Sequence, residues 1–117
     1  GNTEAHNSRA DFHYQRGDFQ AALADYSAAL ANLPAVAPRH ADKRRAAFFN
    51  DRAVTYVQLG RLVEAMADQD EPIRLQPDRT DYYLNRARMH RLLGRLAEAR
   101  ADLERAQATH AGRSASP

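Results

Sequence analysis

The chain has 117 residues, 17 of them Lys or Arg and 15 Asp or Glu, for a formal net charge of +2. That is enough for one small domain with a real core, and the charge balance is too mild to argue for nucleic-acid binding. There is no cysteine, hence no disulfide framework and no thiolate metal site, and no apolar run approaches the ~18 residues that a membrane-spanning helix needs.

The N-terminal GNTEAHNSRA lacks the apolar core of a secretory signal. From there on alanine is abundant, β-branched residues are few, and the five glycines and five prolines are widely spaced, which predicts an all-helical chain. The first helix closes at Arg16-Gly17-Asp18. These residues spell a cell-adhesion tripeptide, but Gly and Asp are what a turn between helices requires on local grounds. A second helix follows and stops at Pro34. Next, PAVAPRHADKRRAAFFNDRAVTYVQLG predicts a long helix from near Pro38 to Leu59, about 22 residues or 33 Å. Its first turns carry Arg39, His40, Lys43, Arg44 and Arg45 with a single acid, Asp42. A solvated helical extension accounts for this cluster; the functional reading is a docking patch for an acidic partner.

The following helix contains DQDEPIRLQPD. Asp68, Asp70 and Glu71 invite a metal reading, yet they lack the glycine and ligand spacing of a calcium loop. Pro72 sits deep in the helix and costs ~3 kcal/mol there. A kink, or an early end near Glu71, is therefore expected, with Pro77 as the final stop. The last helix pair turns at Gly94, and GRSASP from residue 112 reads as a flexible tail.

These segments repeat. HYQRGDFQAALADYSAAL, TYVQLGRLVEAMADQDEPI and HRLLGRLAEARADLERAQ align on Gly17, Gly60 and Gly94, the last two 34 residues apart. Nine extra residues separate the first two repeats. A small residue stands seven before each glycine (Ala10, Ala53, Ala87) and five after it (Ala22, Ala65, Ala99). Phe19, Leu62 and Leu96 follow each glycine by two, and Phe49 and Tyr83 stand where the first repeat has His6. The pattern resembles the tetratricopeptide repeat family, whose unit is a helix–turn–helix of this period. The resemblance covers roughly residues 3–111. It implies an α-solenoid of three helix–turn–helix repeats in a right-handed superhelical stack, with an unusually long first helix in repeat two. Repeat one is then about 3–36, the basic helical extension about 38–45, repeat two about 46–79 and repeat three about 80–111. In repeat three the second helix shows Arg100, Gln107 and Thr109 where earlier repeats have apolar residues, so a polar, terminal repeat without a fourth is expected.

Arg9, Arg52 and Arg86 recur eight residues before the glycines, and Asp25, Asp68 and Asp102 eight after them. Residues equidistant from a hairpin turn lie close together, which predicts three ion pairs, each contributing ~0–1 kcal/mol if exposed. His6 and His13 lie two helical turns apart, about 10 Å, too far for joint metal ligation. His13 and His90 occupy the place of Tyr56 and are expected to pack between first helices.

No catalytic signature occurs: no metal-protease, hydrolase or phosphate-loop motif and no nucleophile–base set. No enzyme activity, cofactor, metal, nucleic acid or membrane is expected. The resemblance implies instead a scaffold or adaptor, of the kind found among co-chaperones, that binds a partner protein or peptide in a concave groove lined by the first helices. Carried over by position, that groove would use Glu4, Asn7, Asp11 and Tyr14 from repeat one. Repeat two would add Asn50, Asp51, Val54 and Gln58, and repeat three Asp81, Leu84, Asn85, Arg88 and Arg91. One subfamily grips C-terminal carboxylates of chaperones with Lys, Asn and Arg. The matching residues here, Asn7, Asp11, Asp51, Asp81 and Asn85, include no base, so that ligand is not expected. The groove suits a basic or mixed-charge segment, with Asn7, Asn50 and Asn85 available to a peptide backbone. Weak self-association through the terminal repeats is the alternative. A cytoplasmic setting is expected, with a cleaved upstream leader as the alternative.

Overall fold

A computed structural model of the protein describes residues 3–33 and 39–115, with the side chains of residues 39, 40 and 113–115 left out of account. Six α-helices follow one another: α1 (Thr3–Gln15), α2 (Phe19–Ala31), α3 (Arg39–Gln58), α4 (Leu62–Leu75), α5 (Thr80–Leu92) and α6 (Leu96–Ala115). They form three antiparallel hairpins, α1/α2, α3/α4 and α5/α6, stacked through α2 on α3 and α4 on α5. The stack is an α-solenoid, as expected, and α3 is the long helix the insertion predicts. Pro34 and Pro38 lie outside the described residues.

Each hairpin turns the same way. Gly17, Gly60 and Gly94 adopt φ of 80°, 74° and 77°, where a side chain would be strained. Around each of them the helix ends in one pattern of backbone bonds: Gly17 N–H to Tyr14 C=O at 3.0 Å and Asp18 N–H to His13 C=O at 2.9 Å in repeat one. The same two bonds recur at Gly60–Val57 and Arg61–Tyr56, and at Gly94–Arg91 and Arg95–His90. This is the Schellman closure, which satisfies carbonyls that a helix end leaves open. Asp18 then accepts from Ala21 N–H and caps α2, so the Arg-Gly-Asp run is spent on the turn itself.

Small residues set the spacing between paired helices. Ala10, Ala22, Ala53 and Ala65 are 0% exposed, and larger side chains close over them. Tyr26 and Tyr14 pack on Ala10 and Ala22, while Met89 packs on Ala53 and Ala65 across the seam between repeats two and three. Phe48 of α3 covers Ala29, Leu30 and Leu33 of α2 at the first seam. Burying an aromatic side chain of this size contributes about 2–3 kcal/mol.

Pro72 does not end its helix. α4 runs without interruption from Leu62 to Leu75, so the early end expected near Glu71 does not form. Proline falls in the last turn, where only the Asp68 carbonyl loses its helical donor. Its ring is among the fully buried side chains, and its own carbonyl accepts from Gln76 N–H at 2.8 Å. The packing of the ring offsets the missing hydrogen bond. Gln69, unexpected in a core position, is 0% exposed because its Nε2 donates to Asn50 Oδ1 at 3.1 Å and to the Tyr82 carbonyl at 3.2 Å. The C-terminal helix also differs from expectation: α6 continues to Ala115, past the start of the expected tail at Gly112.

Candidate functional site

All three predicted arginine–aspartate pairs form, each through two hydrogen bonds. Arg9 holds Asp25 at 2.7 and 2.9 Å, Arg52 holds Asp68 at 2.6 and 2.8 Å, and Arg86 holds Asp102 at 2.8 and 2.9 Å. They are not the exposed pairs anticipated, because Asp25, Asp68 and Asp102 are only 7%, 7% and 5% exposed. A buried carboxylate gripped on both oxygens depends strongly on its partner. The Arg9 guanidinium accordingly holds the Asp25 carboxyl below its usual range, against burial, which raises it. The sequence reading missed a second bond: Arg52 reaches back to Ser27 Oγ at 3.2 Å, and Arg86 to Asp70 Oδ1 at 3.1 Å. Ser27 and Asp70 occupy the same repeat position, ten residues after the glycine, and that regularity was the available signal. The second and third pairs therefore each tie their own hairpin to the preceding one.

These bonds also use up the acids of the DQDE run. Asp68 is held by Arg52, Asp70 by Arg86, and Glu71 by Arg74 at 2.7 Å. Among the described residues no group of three or more His, Asp or Glu is arranged to hold a metal. His13 and His90 face the buried acid of their own hairpin, Nε2 lying 3.8 Å from Asp25 and 3.6 Å from Asp102. In the same position Tyr56 instead lies under Arg52 and Arg61, at 5.8 and 5.0 Å from ring centroid to guanidinium carbon.

The expected groove residues divide into three groups. Asp11 and Tyr14 of α1, Tyr26 of α2, and Asp51 and Val54 of α3 surround a pocket of about 200 Å³ at the first seam. Tyr26 Oη donates to Asp11 Oδ1 at 2.5 Å, and both that bond and, first of all, burial push the phenol pKa up. Burial, then the charge of Asp11, drives the Asp51 carboxyl up to about 6, partly offset by a hydrogen bond from Asn50. Neither Asp11 nor Asp51 forms an ion pair with any described residue. Gln58 Nε2 lies 3.4 Å from Tyr14 Oη, at the edge of this group. Tyr26 is 3% exposed, and its buried phenol needs a polar partner, which Asp11 supplies.

Asn50 and Asn85 form the second group, and they are engaged. Asn85 Nδ2 donates to Asn50 Oδ1 at 2.8 Å, an oxygen that Gln69 also uses. They stitch the second seam rather than wait for a peptide backbone. Asn7, the counterpart of Asn50 in repeat one, keeps a buried side-chain oxygen without a partner.

Repeat three supplies the third group, separated from the first. Asp81 pairs with Arg79 at 3.0 Å and lines, with Lys43 and Leu84, a pocket of about 490 Å³ beside the α4–α5 connection. The three acids of the expected groove therefore do not line one pocket. Arg88 and Arg91 border a separate hollow with Leu92 and Leu96. The basic patch is likewise divided: Lys43 turns to that connection, while Arg44 pairs with Glu4 and stacks over Phe48. The side chains of Arg39 and His40 lie outside the described residues.

The comparisons agree with this repeat geometry. A family model described as tetratricopeptide repeat matches residues 1–37 and 69–115, more than half of the chain. The chain belongs to the tetratricopeptide repeat family. No curated protein sequence matches it. Among solved structures, the first such domain of Spaghetti (RPAP3), bound to the HSP90 peptide SRMEEVD, is 20% identical with a TM-score of 0.76. That alignment covers 92% of this chain and 78% of the other. MamA is 16% identical with a TM-score of 0.83, over 96% of this chain and 60% of MamA. The Yersinia enterocolitica type III secretion chaperone SycD, in complex with a peptide of the translocator YopD, is 21% identical with a TM-score of 0.77. There the alignment covers 91% of this chain and 74% of SycD. At these identities the likeness is one of fold. No helix among the described residues is long and apolar enough to cross a membrane.

Proposed function

We propose that this tetratricopeptide domain is a protein-binding module whose groove receives a basic or mixed-charge segment of a partner, with a cationic side chain entering the pocket between Asp11 and Asp51. One observation carries the reading. Two neighbouring carboxylates line a cleft of about 200 Å³ and have no cation against them among the described residues, whereas every buried aspartate of the arginine pairs has one. Asp51 is partly withdrawn from solvent, where a carboxylate attracts a positive ligand group more strongly than a fully exposed one would, and the exposed Asp11 beside it adds a second negative charge. Tyr14 and Tyr26 add ring surface for the stem of a lysine or arginine.

Similar folds support a peptide ligand: the Spaghetti and SycD structures each hold one. The peptide in the Spaghetti structure, SRMEEVD, ends in acids. Asp11 and Asp51 would repel such a tail, so the proposed ligand differs in charge. The test is fluorescence anisotropy with a labelled lysine- and arginine-rich peptide and, in parallel, one ending in EEVD. The basic peptide is expected to bind and to weaken about tenfold with Asp51→Asn. Tighter binding of the EEVD peptide contradicts the proposal.

A further inference from the structure

The far end of the stack shows the polar Arg100 and Gln107 to solvent, and beside them it carries exposed apolar side chains. Of the six large apolar side chains most open to solvent, Leu84, Leu92, Leu96 and Leu103 belong to repeat three. Leu84 and Leu103 are 46% and 40% exposed, and with Thr80, Ala106, Gln107 and His110 they line a cleft of about 380 Å³ between α5 and α6. The repeat register says what such a cleft is for. The positions of Leu84 and Leu103 correspond to Asn7 and Tyr26 in repeat one, and to Asn50 and Gln69 in repeat two. There the next repeat lies against them: Tyr26 beside Asp51 of α3, Gln69 bonded to Tyr82 of α5. At both inner seams the pair is polar, or half so, and covered; at the open end it is leucine on leucine and bare. A solvent-facing end would have the reverse.

What fits this face is narrowed by its charge. Arg88 and Arg91 stand where repeat one has Asp11 and Tyr14, on the rim that the next repeat would meet. With Arg100 of α6 they form no ion pair with a described residue, although Arg9, Arg44, Arg52, Arg61, Arg74, Arg79 and Arg86 all do. A second copy meeting this face with its own would bring arginine against arginine.

We propose that the open end of repeat three docks an amphipathic helix of a partner protein, its apolar residues entering the Leu84–Leu103 cleft and its carboxylates meeting Arg88 and Arg91. The helix would lie on α5 and α6 as α3 lies on α1 and α2, continuing the solenoid with a foreign element. Recognition would follow the helix-in-groove mode, with apolar anchors about two turns apart and acids on the flank. This surface is independent of the Asp11–Asp51 pocket and stands or falls separately from it.

The probe is a designed amphipathic peptide of about 18 residues, with leucines at heptad spacing and glutamates flanking them. Its counterpart carries lysine in place of every glutamate. Anisotropy titrations against the whole chain should show the glutamate helix binding at least about tenfold tighter than the lysine helix. Leu103→Glu and the Arg88→Glu/Arg91→Glu double variant should each weaken it about tenfold, while Asp51→Asn leaves it unchanged. Leu103, Arg88 and Arg91 are exposed, and circular dichroism checks that the variants stay folded. Equal binding of the two helices, or binding indifferent to both variants, overturns the proposal. So does a concentration-dependent dimer in sedimentation that Leu103→Glu dissolves, since a second copy would then be the occupant.

Discussion

Asp68 and Asp51 lie in the same repeat, and both are drawn away from solvent, but only Asp68 has an arginine on it. The three paired aspartates recur at one position of every repeat, and each is satisfied on both oxygens within its own hairpin. Asp51 has no counterpart in charge: Ser8 and Asn85 occupy its position in the other repeats. Its acidic neighbour, Asp11, likewise gives way to Val54 and Arg88. Regular, paired carboxylates hold the stack together; the irregular, unpaired Asp51 costs stability, and in the proposed function it is where a ligand's charge would sit. A stable scaffold tolerates such a cost at a site that binds something.

Breaking the structural side of this contrast should have the largest effect. Arg52→Ala leaves the Asp68 carboxylate buried and unpaired, and also cuts the tie to Ser27; a loss of about 3 kcal/mol in urea-melt stability is expected. Arg9→Ala should lose distinctly less, because its guanidinium is exposed to water and salt at the open end of the stack. Next in size is a gain. Asp51→Asn removes a carboxylate whose pKa the fold raises to about 6, and should stabilise the chain at pH 7 by on the order of 1–2 kcal/mol. The sign follows from that direction. Between the ordinary carboxylate range and about pH 6 the folded chain keeps Asp51 protonated while the unfolded chain does not, so the penalty grows with pH. Below pH 4 variant and parent should converge. Asp25 acts oppositely: its lowered pKa stabilises at neutral pH, and that contribution is lost as pH falls through the folded value. Smallest of all is Pro72→Ala, expected to shift stability by less than about 1 kcal/mol. The regained bond to the Asp68 carbonyl and the lost ring packing oppose each other.

Much of the architecture was legible because it is written in triplicate. Three glycines at left-handed positions, three pairs of flanking alanines and three Arg/Asp pairs define helix, turn and register. Reading equidistance from the turn was enough to place each pair. What the sequence concealed was burial and lateral contact. Equidistance brings Arg52 to Asp68, but not to Ser27 in the preceding hairpin. Pro72 looked like a break because its place in the last turn and its buried ring depend on neighbours outside its own helix. The groove was least legible. Aligning first helices groups Asp11, Asp51 and Asp81 by repeat position, yet Arg79 takes Asp81 and the seam bonds take Asn50 and Asn85. Leu84 and Leu103 were hidden because they are far apart in sequence and meet only across a hairpin.

The central claim is that Asp51, unlike Asp68, keeps its charge for a ligand. The most direct test titrates a labelled lysine- and arginine-rich peptide against the parent chain and Asp51→Asn, at pH 7.5 and at pH 5. The account predicts that the parent binds about tenfold tighter at pH 7.5 than at pH 5, as Asp51 ionises. Asp51→Asn should bind weakly at both. Binding by the parent that is equally tight at the two pH values, and unchanged in the variant, would contradict it.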